Sequence, residues 1–346
     1  MPYRTTAKGN RETAPGSRRK ETGNFAGSRR SRKKNGTDMT QRKIYSGIDR
    51  IPSGKASEKL TPGCLVLEGG AFKGLYTQGV LDAFMLSDLN LQCVIGVSAG
   101  ALSGANYVSG QIGRSARVGL TYRHDPRYVG LKALKNSRSI VDVGFLTEDR
   151  GIYEPLDQER FNRPEQRFLA VATNCLTGEW EAFEKGKCSD IFLAARASAT
   201  LPYLAPMVEI DGTPYLDGGC ACKIPYQWAL DNGFEKIIVI RTRETSFRKK
   251  NREDPLAEKV YRKYPKIMEK IKRMNLEANR EFEEVERLHE EGRLLRIAPS
   301  REVLVSRLER DMEKLGELYW LGYSDAMERL GEVRAYLGVD GPEATA

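Results

Sequence analysis

An α/β fold with a mainly parallel sheet and helices on its faces is the architecture this sequence predicts, and three observations lead to it. Two successive segments, 64–86 and 91–109, each run from a short apolar strand through a glycine-containing turn into a helix of small and apolar residues. A β-branched run, Ile237-Ile238-Val239-Ile240, supplies a further buried strand. After Pro255 the composition shifts to charged helix formers, which adds a helical end. Strand–turn–helix units repeated in this way are how a chain lays down parallel strands covered by helices.

The chain opens on a charged tail. Residues 1–60 hold 16 of the 56 Lys and Arg but only 5 of the 47 Asp and Glu, leaving the other residues with 40 basic and 42 acidic groups. The net charge of +9 therefore belongs to the tail and not to the body. Runs such as Arg18-Arg19-Lys20 and Arg29-Arg30-Ser31-Arg32-Lys33-Lys34, set among Gly and Ser, bury too little apolar surface to offset ordering entropy, so 1–60 is expected to be disordered. A basic arm of this kind binds nucleic acid or anionic lipid headgroups. The competing reading is that it has no function, with Met39 as an alternative start. Because the body is near neutral, nucleic acid is not the expected partner. The sequence has no apolar leader core and no run of roughly 20 apolar residues. A cytoplasmic protein is expected, with any membrane contact peripheral to the inner membrane. The six cysteines (64, 93, 175, 188, 220, 222) lack paired C-x-x-C spacing with downstream histidines, so no metal site or disulfide framework is expected.

The elements follow in order. Residues 64–67 form a strand, 75–86 a helix with Val80, Leu81 and Phe84 on one face, 91–97 a strand and 99–109 its helix. The mixed, basic stretch 114–165 is expected to cover the site. Strands 168–173 and 179–183 are joined by a turn at 174–178, and a helix over 191–198 stops before Leu201-Pro202. Segments 208–210 and 213–216 make a hairpin about Asp211-Gly212, and 236–241 is the β-branched strand. Long amphipathic helices are expected over 256–292 and 304–337, separated by an edge strand at 294–297. The Leu308, Met312, Leu315, Tyr319 stripe reads as packing surface.

Chemistry enters at Gly96-x-Ser98-x-Gly100, between the second strand and its helix. This is the pattern of a nucleophile elbow, a tight turn too crowded for side chains at the glycine positions. Ser98 then sits at a helix N-terminus, where free N–H groups favour a developing oxyanion. A serine hydroxyl needs a base. Of the two histidines, His124 lies in a turn-like Asp-Pro context and His289 in a highly charged helix, although His289 alone fits the order Ser, acid, His. The other candidate is Asp217, in Asp217-Gly218-Gly219 just past a strand, where a carboxylate takes the proton directly. A third motif, Gly69-Gly70-Ala71-Phe72-Lys73-Gly74, offers successive N–H groups before a helix. It fails the dinucleotide pattern because Ala occupies position 71.

These three motifs in this order resemble the patatin-like phospholipase family. Gly79-Val80-Leu81-Asp82, Arg196-Ala197-Ser198 with Leu201-Pro202, and Ile224-Pro225 are similar to its bacterial branch. The resemblance covers about residues 62–245. It implies a three-layer α/β/α patatin-like fold over 61–250 and a helical C-terminal extension over 251–346. It also implies Ser98 as nucleophile, Asp217 as base, and an oxyanion hole from the amides of Gly69, Gly70, Ala71 and Ala99. Gly96, Gly100, Lys73, Gly74, Gly218 and Gly219 complete the motifs. The implied activity is hydrolysis of a lipid or phospholipid ester through an acyl-enzyme, with no metal or organic cofactor. Two departures stand out. Glu68 with an extra loop residue leaves the identity of the hole amides open, and Cys220-Ala221-Cys222-Lys223 is expected to alter the pocket rim. The rival readings are a transacylase or non-lipid esterase on the same dyad, or a catalytically silent protein that binds membrane or nucleic acid through its basic arm. Oligomeric state is left open by the sequence.

Overall fold

The computed structural model describes residues 43–130, 132, 133, 135, 141, 142, 144, 154–251 and 253–339. The arginine-rich runs of the tail and much of the stretch expected to cover the site lie outside the described residues. Its strands are β1 (Gly54–Lys55), β2 (Thr61–Leu67), β3 (Leu91–Val97), β4 (Gln111–Ile112), β5 (Arg167–Asn174), β6 (Trp180–Glu184), β7 (Val208–Ile210), β8 (Thr213–Asp217), β9 (Ile237–Ile240) and β10 (Leu295–Ile297). Its helices are α1 (Gly74–Leu86), α2 (Ala99–Val108), α3 (Arg114–Tyr122), α4 (Gln158–Phe161), α5 (Ile191–Ser198), α6 (Tyr226–Asp231), α7 (Pro255–Val260), α8 (Pro265–Glu290), α9 (Met312–Glu328) and α10 (Leu330–Leu337).

Strands β10, β9, β2, β3 and β5 run parallel, in that order. Their side chains alternate between two cores, as a pleat buried on both faces requires. Leu65, Leu67, Val94, Ile238 and Ile240 pack with α1, α2, α5 and α9 on one face. Cys64, Val66, Cys93, Ile95, Ile237 and Val239 pack with α6 and α8 on the other. The result is a three-layer α/β/α sandwich, as the sequence predicted.

Three expectations shift. Tyr45, Ile51 and Ala56 are buried, Tyr45 N–H donates to the Leu120 carbonyl (3.2 Å) and β1 pairs with β4, so residues 43–60 are built into the fold rather than disordered. The helix expected over 256–292 is broken at 261–264, because Pro265 restarts it and a proline is tolerated only in a first turn. The one expected over 304–337 begins only at Met312, where Asp311 accepts the Glu313 and Lys314 N–H groups as an N-cap. Segment 303–311 is instead non-helical, and Val303 and Val305 are buried. Strand β10 joins the sheet at its edge, as expected.

Buried acid sits between α1 and its neighbours. Asp82 accepts from Gly113 N–H (2.8 Å) and Tyr319 O–H (2.9 Å). Burial nevertheless pushes its carboxyl up to about 7, against the pull of those two bonds and of Arg117. The folded chain thus holds a proton that the unfolded chain releases near pH 4, and stability falls as pH rises from about 4 to 7. Thermal melts of Asp82→Asn and the parent protein across pH 5–8 should show the variant losing less stability over that window. Parallel curves would contradict this.

Candidate active site

The register of β5 brings the two predicted catalytic residues together. Val97 of β3 lies opposite Val171, and Asp217 of β8 lies opposite Ala172. Strand β6 occupies the other edge of β5 over 169–173, so β3 and β8 share one edge. One runs parallel to β5 and the other antiparallel, so their C-terminal ends abut, one residue step apart. Ser98 and Asp217 stand at that junction, both buried, and both line one cavity.

Ser98 has φ 56° and ψ −123°, a left-handed region that a non-glycine residue occupies at a cost of about 1–3 kcal/mol. Crowding enforces the turn. A side-chain carbon on Gly100 would lie 2.4 Å from the Leu67 carbonyl oxygen, and one on Gly96 would lie 2.6 Å from Ala101 N. Ser98 N–H donates to Ser198 Oγ (2.8 Å), so helix α5 fixes the elbow from the side. On Asp217, Oδ1 accepts Gly219 N–H (2.8 Å) while Oδ2 is buried without a partner among the described residues. Its backbone is held by the Thr200 carbonyl (2.8 Å), and Thr173 Oγ1 donates to its carbonyl (2.9 Å).

The N–H groups of Gly69 and Gly70 donate to no acceptor among the described residues. Gly69 is pressed against Ser98, whose Cβ would lie 3.0 Å from a side-chain carbon at that position. Ala99, first residue of α2, contributes an N–H that no helical carbonyl can take. Ala71 adopts φ 50° directly after the glycine pair. Glu68 Oε2 accepts Thr242 N–H (2.7 Å) and so ties the loop to the end of β9.

Two cavities meet at Ser98. One, about 80 Å³, is lined mainly by apolar groups, among them Phe72, Leu75, Leu102, Tyr128, Leu201 and Leu308. The other, about 530 Å³, is lined by Glu68, Lys73, Asp217 and a set of further basic residues. From the expected covering stretch, Ser115, Gly119, Tyr128 and Val141 line the apolar cavity. Neither His124 nor His289 lines either one. His124 Nε2 lies 2.9 Å from the Arg310 carbonyl, and His289 Nδ1 lies 3.4 Å from that of Leu294.

Residues 65–230, which span β2 to α6, match the family model described as patatin-like phospholipase. They form a patatin-like phospholipase domain.

Residues 264–338 match a second model, described as a domain of unknown function (DUF6363). Uncharacterized protein YjjU of Escherichia coli (strain K12) is 28% identical over 185 residues, which is 51% of this chain and 51% of YjjU. Lysophospholipase NTE1 of Cryptococcus neoformans var. neoformans serotype D is 26% identical over 179 residues, 51% of this chain and 11% of NTE1. The match thus spans about half of one relative and about a tenth of the other. VipD from Legionella pneumophila, a crystal structure, aligns with a TM-score of 0.41 at 16% identity over 81% of this chain and 68% of that one. No helix among the described residues is long and apolar enough to cross a membrane.

Around the site the sequence reading misplaced two features. Cys220 and Cys222 are buried and pack into cores, so they do not form the rim; Lys223 of the same run faces the cavity. Leu308, assigned to a helical packing stripe, lies outside the helix and lines the apolar cavity. Residues that the motifs could not reveal come from afar: Thr242, Arg243, Lys249 and Arg307. The sequence signal for the first three was basic clustering after β9, in Arg241-Thr242-Arg243 and Arg248-Lys249-Lys250, and Arg307 carried none.

Proposed function

We propose that the chain is a lipid acyl hydrolase that works through a Ser98–Asp217 dyad. The observation that carries this is the abutment of β3 and β8, which sets a strained serine beside a carboxylate with one unpartnered buried oxygen. Ser98 Oγ attacks the ester carbonyl carbon while its proton passes to Asp217. Charge on the carbonyl oxygen is met by the Gly69 and Gly70 N–H groups, which have no acceptor among the described residues, and by the Ala99 N–H at the start of α2. The C–O bond breaks, the alcohol leaves with the proton from Asp217, and an acyl-enzyme remains. Water then gives its proton to Asp217 and attacks the acyl carbon, the bond to Ser98 Oγ breaks, and the proton passes from Asp217 to Ser98 Oγ as the fatty acid leaves. The apolar lining of the smaller cavity suits the first carbons of the acyl chain. A lysophospholipid-type ester is consistent with the relative of that name, and contact with a lipid surface is peripheral in this reading.

The test is covalent labelling with a fluorophosphonate. Labelling of the parent protein that disappears in Ser98→Ala is expected. Equal labelling of the Ser98→Ala protein would end the nucleophile assignment.

A further inference from the structure

The larger cavity beside Ser98 is strongly one-signed. Seven basic side chains line it against two carboxylates, Glu68 and Asp217. Arg248 is paired with Glu283 at 3.5 Å. Lys73, Lys223, Arg243, Lys249, Lys250 and Arg307 form no ion pair among the described residues. One oxygen of each carboxylate is taken by a backbone N–H, Glu68 Oε2 by Thr242 (2.7 Å) and Asp217 Oδ1 by Gly219 (2.8 Å).

The backbone that carries these cations is held in place. Asn279 of α8 accepts Lys249 N–H at Oδ1 (2.8 Å) and donates from Nδ2 to the Lys249 carbonyl (2.9 Å). Asn275 donates to the Lys250 carbonyl (3.2 Å). Glu281 accepts the N–H groups of Lys223 (2.8 Å) and Ile224 (2.7 Å). The Arg243 guanidinium lies 4.5 Å from the Phe247 ring centre and donates to the Val303 carbonyl. Helix α8 and the 303–307 segment, both outside the patatin-like domain, thus shape this wall.

Glu68 and Asp217 offset these charges only in part. Burial, then the positive charges of Arg243, Arg307 and Lys223, brings the Lys73 ammonium down to about 8. Burial, then Lys223, brings Lys249 down to about 7. A bound multivalent anion relieves both effects at once.

We propose that the substrate is an acyl ester whose alcohol portion carries a phosphate monoester, held in the cationic cavity while the acyl chain enters the apolar one. Ser98 lines both cavities, so the ester carbonyl falls between the two. A terminal phosphate presents two charges and three free oxygens to a cluster of donors. A choline headgroup would bring a further cation among lysines, which the lining opposes. This inference rests on the hydrolase reading above and adds its headgroup.

The experiment compares kcat/KM for 1-oleoylglycerol 3-phosphate and 1-oleoylglycerophosphocholine in the same neutral detergent, with p-nitrophenyl butyrate as a headgroup-free ester. The phosphate ester should be preferred by about tenfold or more, and Lys249→Gln and Lys250→Gln, made singly, should each cut that preference by about tenfold. Lys250 is exposed, so its variant keeps the test open if Lys249→Gln does not fold. Equal rates on both lipids, or a preference that neither variant moves, overturn the headgroup assignment while p-nitrophenyl butyrate hydrolysis keeps the hydrolase reading. Inhibition by added inorganic phosphate without any preference between the lipids assigns the cavity to a free anion and likewise overturns it. A parent protein that cleaves none of the three esters removes the hydrolase reading, and this inference with it.

Discussion

Asp217→Asn is expected to lower kcat for ester hydrolysis about 10³-fold or more, with KM little changed. Asparagine preserves the shape of the side chain, and its oxygen still accepts Gly219 N–H, which Asp217 Oδ1 now takes at 2.8 Å. What is lost is the second oxygen, buried and unpartnered, which becomes an NH₂ group and cannot receive the Ser98 proton. Because the base acts on a proton and does not bind the substrate, the effect falls on turnover. His289→Ala is the paired control. That imidazole lies on α8 beside the Leu294 carbonyl, outside both cavities, and its loss should leave kcat within about twofold. Steady-state rates on p-nitrophenyl butyrate decide between them. An Asp217→Asn enzyme within tenfold of the parent, or a His289→Ala enzyme far below it, would replace the dyad with another base.

The parts of this site that local chemistry dictates were legible in the sequence. Glycines at 96 and 100 around Ser98, and the apolar strand before them, announce a turn whose geometry follows from steric exclusion. The Asp217-Gly218-Gly219 run announced itself less well, since such strings are usually plain turns; its partnership with Ser98 depends on the register of β5, a property of pairing at long range. Hydrophobic periodicity placed the body strands to within a few residues but overran the C-terminal helices. The signals that end them were present, in Pro265 and in Asp311 as an N-cap, and they outrank the periodicity because they act on single backbone N–H groups. The cationic wall was not legible as a site. Lys73, Lys223, Lys249 and Arg307 are far apart in sequence, and only the packing of α8 and the 303–307 segment against the end of β9 gathers them.

Gly322→Ala is expected to destabilise the fold by about 3 kcal/mol and to reduce esterase activity with it. Helix α9 crosses α1 so closely that a side-chain carbon on Gly322 would lie 2.0 Å from the Tyr76 carbonyl oxygen. The contact is reciprocal, since one on Gly79 would lie 2.1 Å from the Tyr319 carbonyl oxygen. Both obstacles are backbone, so no rotamer change relieves them and the helices must move apart. Separation also strains two buried hydrogen bonds that flank the crossing, Tyr76 O–H to Asp325 Oδ2 (2.9 Å) and Tyr319 O–H to Asp82 Oδ2 (2.9 Å). Helix α1 starts at Gly74, joined to the Gly69–Gly70 amides by the single turn Ala71–Lys73, so its displacement shifts the oxyanion donors and costs turnover as well as stability. Gly331→Ala in α10 is the contrast, because nothing lies within 4 Å of the added carbon and alanine favours a helix. Denaturant midpoints and kcat measured on both variants test the claim. A Gly322→Ala protein as stable and as active as Gly331→Ala would show that α9 does not brace the catalytic loop. A large loss of both would show that the helical extension, although outside the patatin-like domain, is part of what holds Ser98 and its oxyanion donors in register.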